Sequence, residues 1–196
     1  MANQTAIRTA TEADTDRLLH VINIAFSADP LVRWIAPSLE SCMRAMPQIF
    51  WTFGGRAALD AGTFRVMEDF SGWCEWLPPG WQIDDEGFDA MLKDCSPPEL
   101  MPDIEKVFSR MAANHPEEPH WYLPIIVVDP WNQEKGVGGK LLEDGMASCD
   151  ERHLVSYLEA TTPSSARLYE RFGYKVLDEI SAGSSPPVFP MRREAR

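Results

Sequence analysis

The residues best suited to chemistry fall in one stretch, Val128-Asp129-Pro130-Trp131-Asn132-Gln133-Glu134-Lys135-Gly136-Val137-Gly138-Gly139-Lys140-Leu141-Leu142. Here an apolar run, Ile125 to Val128, gives way to a turn and then to glycines that open a helical pattern. Such a helix start offers backbone N–H groups with no intrahelical acceptor and the positive end of the helix dipole, which together suit a pyrophosphate. A Cβ at the glycines would hold a phosphate away from the backbone. Two nucleotide loops can be tested on these residues. A Walker A loop needs Ser or Thr after its lysine to meet Mg²⁺, but Lys140 is followed by Leu141. A dinucleotide fingerprint needs a third glycine that Gly136-x-Gly138-Gly139 does not supply at the required spacing.

Gln133-x-x-Gly136-x-Gly138, after a strand ending in Val128-Asp129-Pro130, resembles motif A of the GNAT acetyltransferases. Thr162-Pro163-Ser164-Ser165-Ala166-Arg167-Leu168-Tyr169-Glu170-Arg171-Phe172-Gly173-Tyr174 resembles the same family's motif B at the expected distance. Two positions depart from the pattern: Thr162 stands where the family often has Asn, and Tyr174 replaces Phe. Looser similarities point to the small-molecule branch that includes puromycin N-acetyltransferase. They lie in Ile7-Arg8 with Ala10-Thr11-Glu12-Ala13-Asp14, in Asp29-Pro30-Leu31-Val32-Arg33-Trp34 and in Trp76-Leu77-Pro78-Pro79-Gly80. His120-Trp121-Tyr122-Leu123 and Met191-Arg192-Arg193 add to them.

The resemblance implies an acetyl-CoA cofactor. Its pyrophosphate is expected on the backbone of Gln133, Glu134, Lys135, Gly136, Val137, Gly138, Gly139 and Lys140. Its pantetheine arm is expected beside Ile126, Val127 and Val128 in the manner of an added strand. Thr162, Pro163, Leu168 and Tyr169 are expected near its thiol end. The implied reaction is direct attack of a primary amine on the thioester in a ternary complex. The amine must lose a proton first, and the leaving thiolate gains one. Tyr169 occupies the family's general-acid position. The base is open among Glu75, Glu159 and His120, in that order of preference, or a water chain that uses none of them. Trp76 and Trp81 flank the Pro-Pro-Gly turn, and His120 and Tyr122 begin the central strand; these four are the expected acceptor contacts. A protein lysine or N-terminal acetyltransferase and a non-catalytic acyl-CoA sensor are the alternatives to a small-molecule enzyme.

The elements that must hold these residues read as an α/β (α+β) fold. A mixed, mostly antiparallel sheet of six to seven strands, splayed at its centre, is flanked by helices as in the GNAT acyl-CoA N-acyltransferases. The pattern predicts a short edge strand over Thr5–Ala10, a helix carrying Leu18, Leu19, Ile22 and Phe26, and a stop at Asp29-Pro30. One helical region follows from Ser38 to Leu59, with Met43, Met46, Ile49, Phe50 and Phe53 as its apolar side. Strands are predicted over Thr63–Glu68, Gly72–Leu77, Trp121–Val128, Val155–Glu159, Tyr174–Ile180 and Val188–Arg192, and helices over Gly138–Glu151 and Ser164–Phe172. Residues 81–119, rich in proline, read as a helical insertion within a single domain spanning 1–196.

Bulk properties exclude several classes. A formal charge of −12 argues against nucleic-acid binding, which needs clustered Lys and Arg. No stretch of eighteen apolar residues suggests a membrane span, and Met1-Ala2-Asn3-Gln4-Thr5 lacks the features of a secretory signal. Four scattered cysteines without a CxxC pair suggest neither a metal knot nor a disulfide frame and fit a reducing, cytoplasmic setting, and the chain is expected as a monomer or homodimer.

Overall fold

The structure is a computed structural model and describes residues 5–195. The Met1–Gln4 part of the segment read for a signal lies outside them. Seven strands form one sheet in the order β1 (Ile7–Thr9), β2 (Phe64–Met67), β3 (Gly72–Leu77), β4 (His120–Val128), β5 (Val155–Ala160), β7 (Phe189–Arg193) and β6 (Lys175–Val176). All neighbours are antiparallel except β4 and β5. That parallel pair is joined through α7 (Val137–Glu151), as a parallel connection requires.

The β4–β5 pairing is short. It holds at His120↔Val155, Trp121↔Ser156 and Tyr122↔Tyr157, and then the strands part. On its other edge β4 shifts register against β3 between Glu75↔Ile125 and Leu77↔Tyr122. The shift brackets Pro124, which has no N–H to give to a ladder and belongs at a bulge rather than in a regular central strand. The second half of β4 therefore pairs with β3 alone, from Ile125 to Val128.

Helices cover both faces. One apolar cluster joins Trp73, Leu77, Tyr122, Ile125 and Val127 to α1 (Thr15–Phe26), α2 (Pro30–Ile35), α3 (Leu39–Thr52), α5 (Asp85–Cys95) and α6 (Met101–Asn114). The other joins Cys74, Trp76, Trp121, Leu123 and Leu158 to α7 and α8 (Pro163–Arg171). Strand β3 is buried along its whole length because its alternating side chains enter both clusters. Helices α5 and α6 bring Phe88, Met91, Ile104, Val107 and Met111 into the first cluster.

Four details differ from the sequence reading. Asp29-Pro30 begins a helix rather than only ending one: Asp29 accepts from the N–H groups of Leu31 and Val32, and Pro30 sits in the first turn of α2. The region from Ser38 to Leu59 is two helices, because Gly54 takes φ +118° before α4 (Gly55–Ala61). Met43 lies on the exposed side of α3. The buried stripe is Cys42, Ala45, Met46, Ile49 and Phe50, and the small residues let α3 lie close to its neighbours. Of the strand expected over Tyr174–Ile180, only β6 and an isolated bridge between Ile180 and Val188 form.

Helix α7 rests on β3 where Gly145 meets the indole of Trp76, and a Cβ at Gly145 would overlap that ring. Gly145→Ala is expected to cost about 1–3 kcal/mol through overpacking, and more if the ring cannot move. Guanidinium unfolding midpoints of the variant and the wild type check this.

Candidate active site

The gap between the parted strands continues into a cleft of about 860 Å³. One wall is Tyr122 to Val128 of β4, and another is Thr161, Thr162, Ser164, Ser165, Leu168 and Tyr169 at the start of α8. The glycine turn closes one end. Gly136 adopts φ +85° at the head of α7, and Lys140 makes the first bond of the helix, to the carbonyl of Gly136. The N–H groups of Val137, Gly138 and Gly139 therefore precede the intrahelical ladder. Glu134 also has positive φ, at 60°, so the turn is wound tightly over two left-handed residues. The glycines differ in purpose. Gly136 is required by its backbone angle, whereas a Cβ on Gly139 would come 3.2 Å from the Phe172 ring, so that position serves packing.

Gln133, Glu134, Gly136, Val137, Gly138 and Gly139 line this end, whereas Lys135 turns to the Trp131 carbonyl and lies 5.4 Å from the Trp131 ring. Gln133 donates to the Val128 carbonyl and so ties the turn to the end of β4. Arg171 lines the same cleft and was not foreseen. The turn is thus a cradle of backbone donors beside an unpaired strand edge, and it fits a phosphorylated, amide-bearing arm.

Thr162 caps α8: its Oγ1 accepts from the Ser165 N–H at 3.1 Å, and Ser165 Oγ lies 3.3 Å from the Thr162 N–H. Tyr169 is buried on the cleft wall, and burial, with Cys74 and Asp29 nearby, pushes its phenol well above the ordinary value. Across the cleft mouth the Asp29 carboxylate accepts from the Thr161 hydroxyl at 2.6 Å. Desolvation raises the Asp29 pKa, against the opposing hydrogen bonds.

A second cavity, of about 610 Å³, adjoins the first and shares Phe53, Phe88, Phe108, Met111, Tyr122 and Glu159 with it. Glu159, in β5, is almost completely buried. Its Oε2 accepts from the Tyr122 hydroxyl at 2.9 Å. His115 Nε2 approaches Oε1 to 3.2 Å, an ion pair when the ring is protonated, and the Tyr157 hydroxyl also faces the carboxylate, but no donor meets the buried Oε1 in hydrogen-bond geometry. The His115 ring packs against Tyr157 and Tyr122, with centroids 4.2 and 4.8 Å away. His120 Nδ1 lies 2.8 Å from the Glu118 carbonyl, which can only accept, so in the neutral ring Nε2 bears the lone pair. Burial lowers the pKa of His120.

The expected residues are therefore only partly gathered. Glu159, Tyr122, His120 and Trp81 line the second cavity, with Trp81 5.9 Å from the Tyr122 ring. Trp76 does not: it points to the opposite face of β3, buried between that strand and α7, because neighbouring residues of a strand face opposite ways. Glu75 lines neither cavity. It is fully buried opposite Phe64 and Ile125, and neither carboxylate oxygen has a partner. His115 was missed because it follows α6 in proline-rich coil with no periodic pattern. Phe88, Phe108 and Met111 were legible only as apolar positions of short helices, not as cavity walls.

A sheet that parts beside a glycine-headed helix is the architecture of the acyl-CoA N-acyltransferases. Residues 105–176 match the model of the acetyltransferase (GNAT) domain. Solved structures agree in fold. A Corynebacterium glutamicum structure described as histone acetyltransferase HPA2 and related acetyltransferase is 24% identical over 97% of this chain and 96% of its own, with a TM-score of 0.69. Arylalkylamine N-acetyltransferase 2 from Aedes aegypti is 16% identical over 99% and 100%, with a TM-score of 0.61. The PaiA N-acetyltransferase of Thermoplasma acidophilum, solved with coenzyme A, is 15% identical over 96% and 98%, with a TM-score of 0.59. The match to the acetyltransferase (GNAT) domain model over residues 105–176, together with the shared fold, supports an N-acetyltransferase that uses acetyl-CoA. Among the described residues no helix is long and apolar enough to cross a membrane, and no cluster of His, Cys, Asp and Glu could hold a metal ion.

Glu75 yields a pH prediction. Burial raises its folded pKa well above the ordinary carboxyl value, so between the unfolded and folded values the native state holds a proton that the unfolded chain has lost. Stability must then fall as pH rises through that window, by about 1.4 kcal/mol per unit. Glu75→Gln is expected to remove this slope, so its advantage in unfolding midpoint over wild type should grow from pH 5 to pH 8. A difference that does not change with pH would mean that Glu75 is charged in the native protein.

Proposed function

We propose that this protein acetylates the primary amine of a small molecule by direct attack in a ternary complex, with Tyr169 as general acid and Glu159 as the group that receives the amine's proton. The observation that carries this reading is Glu159 Oε1, a buried acceptor lacking a donor on the wall common to both cavities. A buried carboxylate oxygen in that state costs free energy until a donor reaches it, and an ammonium is the donor best matched to it. Tyr122 holds the other oxygen and so fixes the carboxylate plane. The first-choice base of the sequence reading, Glu75, lines neither of these two cavities.

Acetyl-CoA supplies a thioester whose carbonyl carbon the amine attacks. The N–H groups of Val137, Gly138 and Gly139 are suited to its pyrophosphate, and the unpaired edge of Ile126, Val127 and Val128 to its amides. Glu159 takes the proton that the ammonium must lose, with His115 beside it to pass charge outward. Tyr169 delivers a proton at the leaving sulfur. Its raised pKa keeps the phenol protonated at neutral pH, as a donor must be. The side chains of α5 and α6 occupy the acceptor side of the cleft, which supports a small acceptor over an extended peptide.

The test is CoA thiol release from acetyl-CoA against aryl amines, alkyl amines, polyamines, amino acids and short peptides. Tyr169→Phe is expected to lower kcat on the best amine by about 100-fold while acetyl-CoA affinity stays unchanged. Wild-type kcat in that variant would place the acid elsewhere. Glu159→Gln is expected to lower kcat/KM on the best amine by about 100-fold with acetyl-CoA affinity unchanged, and a wild-type kcat/KM would remove Glu159 from the proton path.

A further inference from the structure

The chamber beside Glu159 has a chemical bias that narrows the acceptor. Its shared walls are Phe53, Phe88, Phe108 and Met111, with Trp81 and Ile83 toward the hairpin side. The rings form a continuous run: Phe53 to Phe88 is 5.4 Å and Phe88 to Phe108 is 4.8 Å between centroids, both edge to face. The charged and polar groups gather at one end, where Glu159, Tyr122 and His115 meet. Three other carboxylates line the cavities, of which Glu134 is exposed on the glycine turn at the opposite wall. Asp29 is already engaged by the Thr161 hydroxyl and two N–H groups of α2, and Asp85 is exposed at the start of α5, where water and salt screen it.

We infer that the acceptor is a lipophilic monoamine: one ammonium, held at Glu159, on an apolar body that fills the space among Phe53, Phe88, Phe108 and Met111. This rests on the proposed function above and names its substrate class. A second ammonium at the far end of such a molecule would be stripped of water among phenyl rings with no buried anion to meet it. A polyamine or a lysine-like acceptor is therefore disfavoured by the same walls that favour the monoamine. The acidity of the chain as a whole does not select the acceptor; the Glu159 carboxylate oxygen on the cavity wall does.

The experiment is steady-state kinetics of the wild-type chain with saturating acetyl-CoA and the series propylamine, butylamine, pentylamine, hexylamine and 2-phenylethylamine, set against 1,6-diaminohexane and spermidine. Each added methylene is expected to raise kcat/KM about fourfold, and 1,6-diaminohexane is expected to fall at least tenfold below hexylamine. A flat series, or preference for the diamine or spermidine, would overturn the lipophilic-monoamine assignment while leaving amine acetylation intact. Turnover of no amine at all, with acetyl-CoA bound, would overturn the underlying reading and this inference with it. Ile83→Asp places a second anion at the chamber's partly buried edge, so loss of the fold is not the expected outcome. This variant should narrow the gap between hexylamine and the diamine severalfold, and an unchanged gap counts against the inference.

Discussion

Two parallel strands that begin together at His120 and Val155 and separate after three residue pairs create the space on which everything else depends. In a regular sheet the edge of β4 from Ile125 to Val128 would be satisfied by β5. Here it is left with one neighbour, and an open strand edge is a row of unpaired donors and acceptors. The sheet tolerates this because the opening sits between two well-packed clusters, one on each face, that hold β3, β4 and β5 from outside the gap. Pro124 fits the same logic, since it sits where the ladder on the β3 side slips and has no N–H to lose.

The glycine turn and the capped helix α8 stand at the two rims of that opening, and their local chemistry follows from it. Gly136 supplies a left-handed turn so that α7 starts facing the gap, and Thr162 starts α8 by spending its hydroxyl on Ser165. A hydroxyl used as a cap is already oriented by the helix it begins, which is a different use from that of a free side chain reaching for a ligand. The Asp29–Thr161 bond then links the turn before α2 with the turn before α8. The two rims are thereby tied to each other through side chains rather than through the sheet.

What the sequence disclosed and what it hid divide along the range of the interactions. The run Ile125 to Val128, the glycine turn and the Leu168-Tyr169 face of α8 are set by neighbours a few residues apart, and local pattern reveals them. Which face of β3 looks into the cleft is set by register across four strands, so Trp76 and Glu75 could be counted as candidates though one lies behind the sheet and the other beneath the chamber. His115 and Glu159 are 44 positions apart and meet only because α6 ends beside β5. Asp29-Pro30 was visible but ambiguous, since the same pair can end one helix and begin the next.

The aromatic walls of the chamber are also part of the protein's interior: Phe88 and Met111 belong to the larger apolar cluster, and Phe53 and Phe108 pack against it. Residues with that double membership cannot be changed for shape alone. A substitution that reshapes the deep wall to admit a new acceptor also disturbs the packing of α3, α5 and α6, and most such changes lower stability. Changes at Trp81, Ile83 and the Pro78-to-Gly80 turn disturb less, because these residues border the space without carrying the centre of the core. The deep wall therefore sets shape and stability together, whereas the hairpin rim can be reshaped with less of the core behind it.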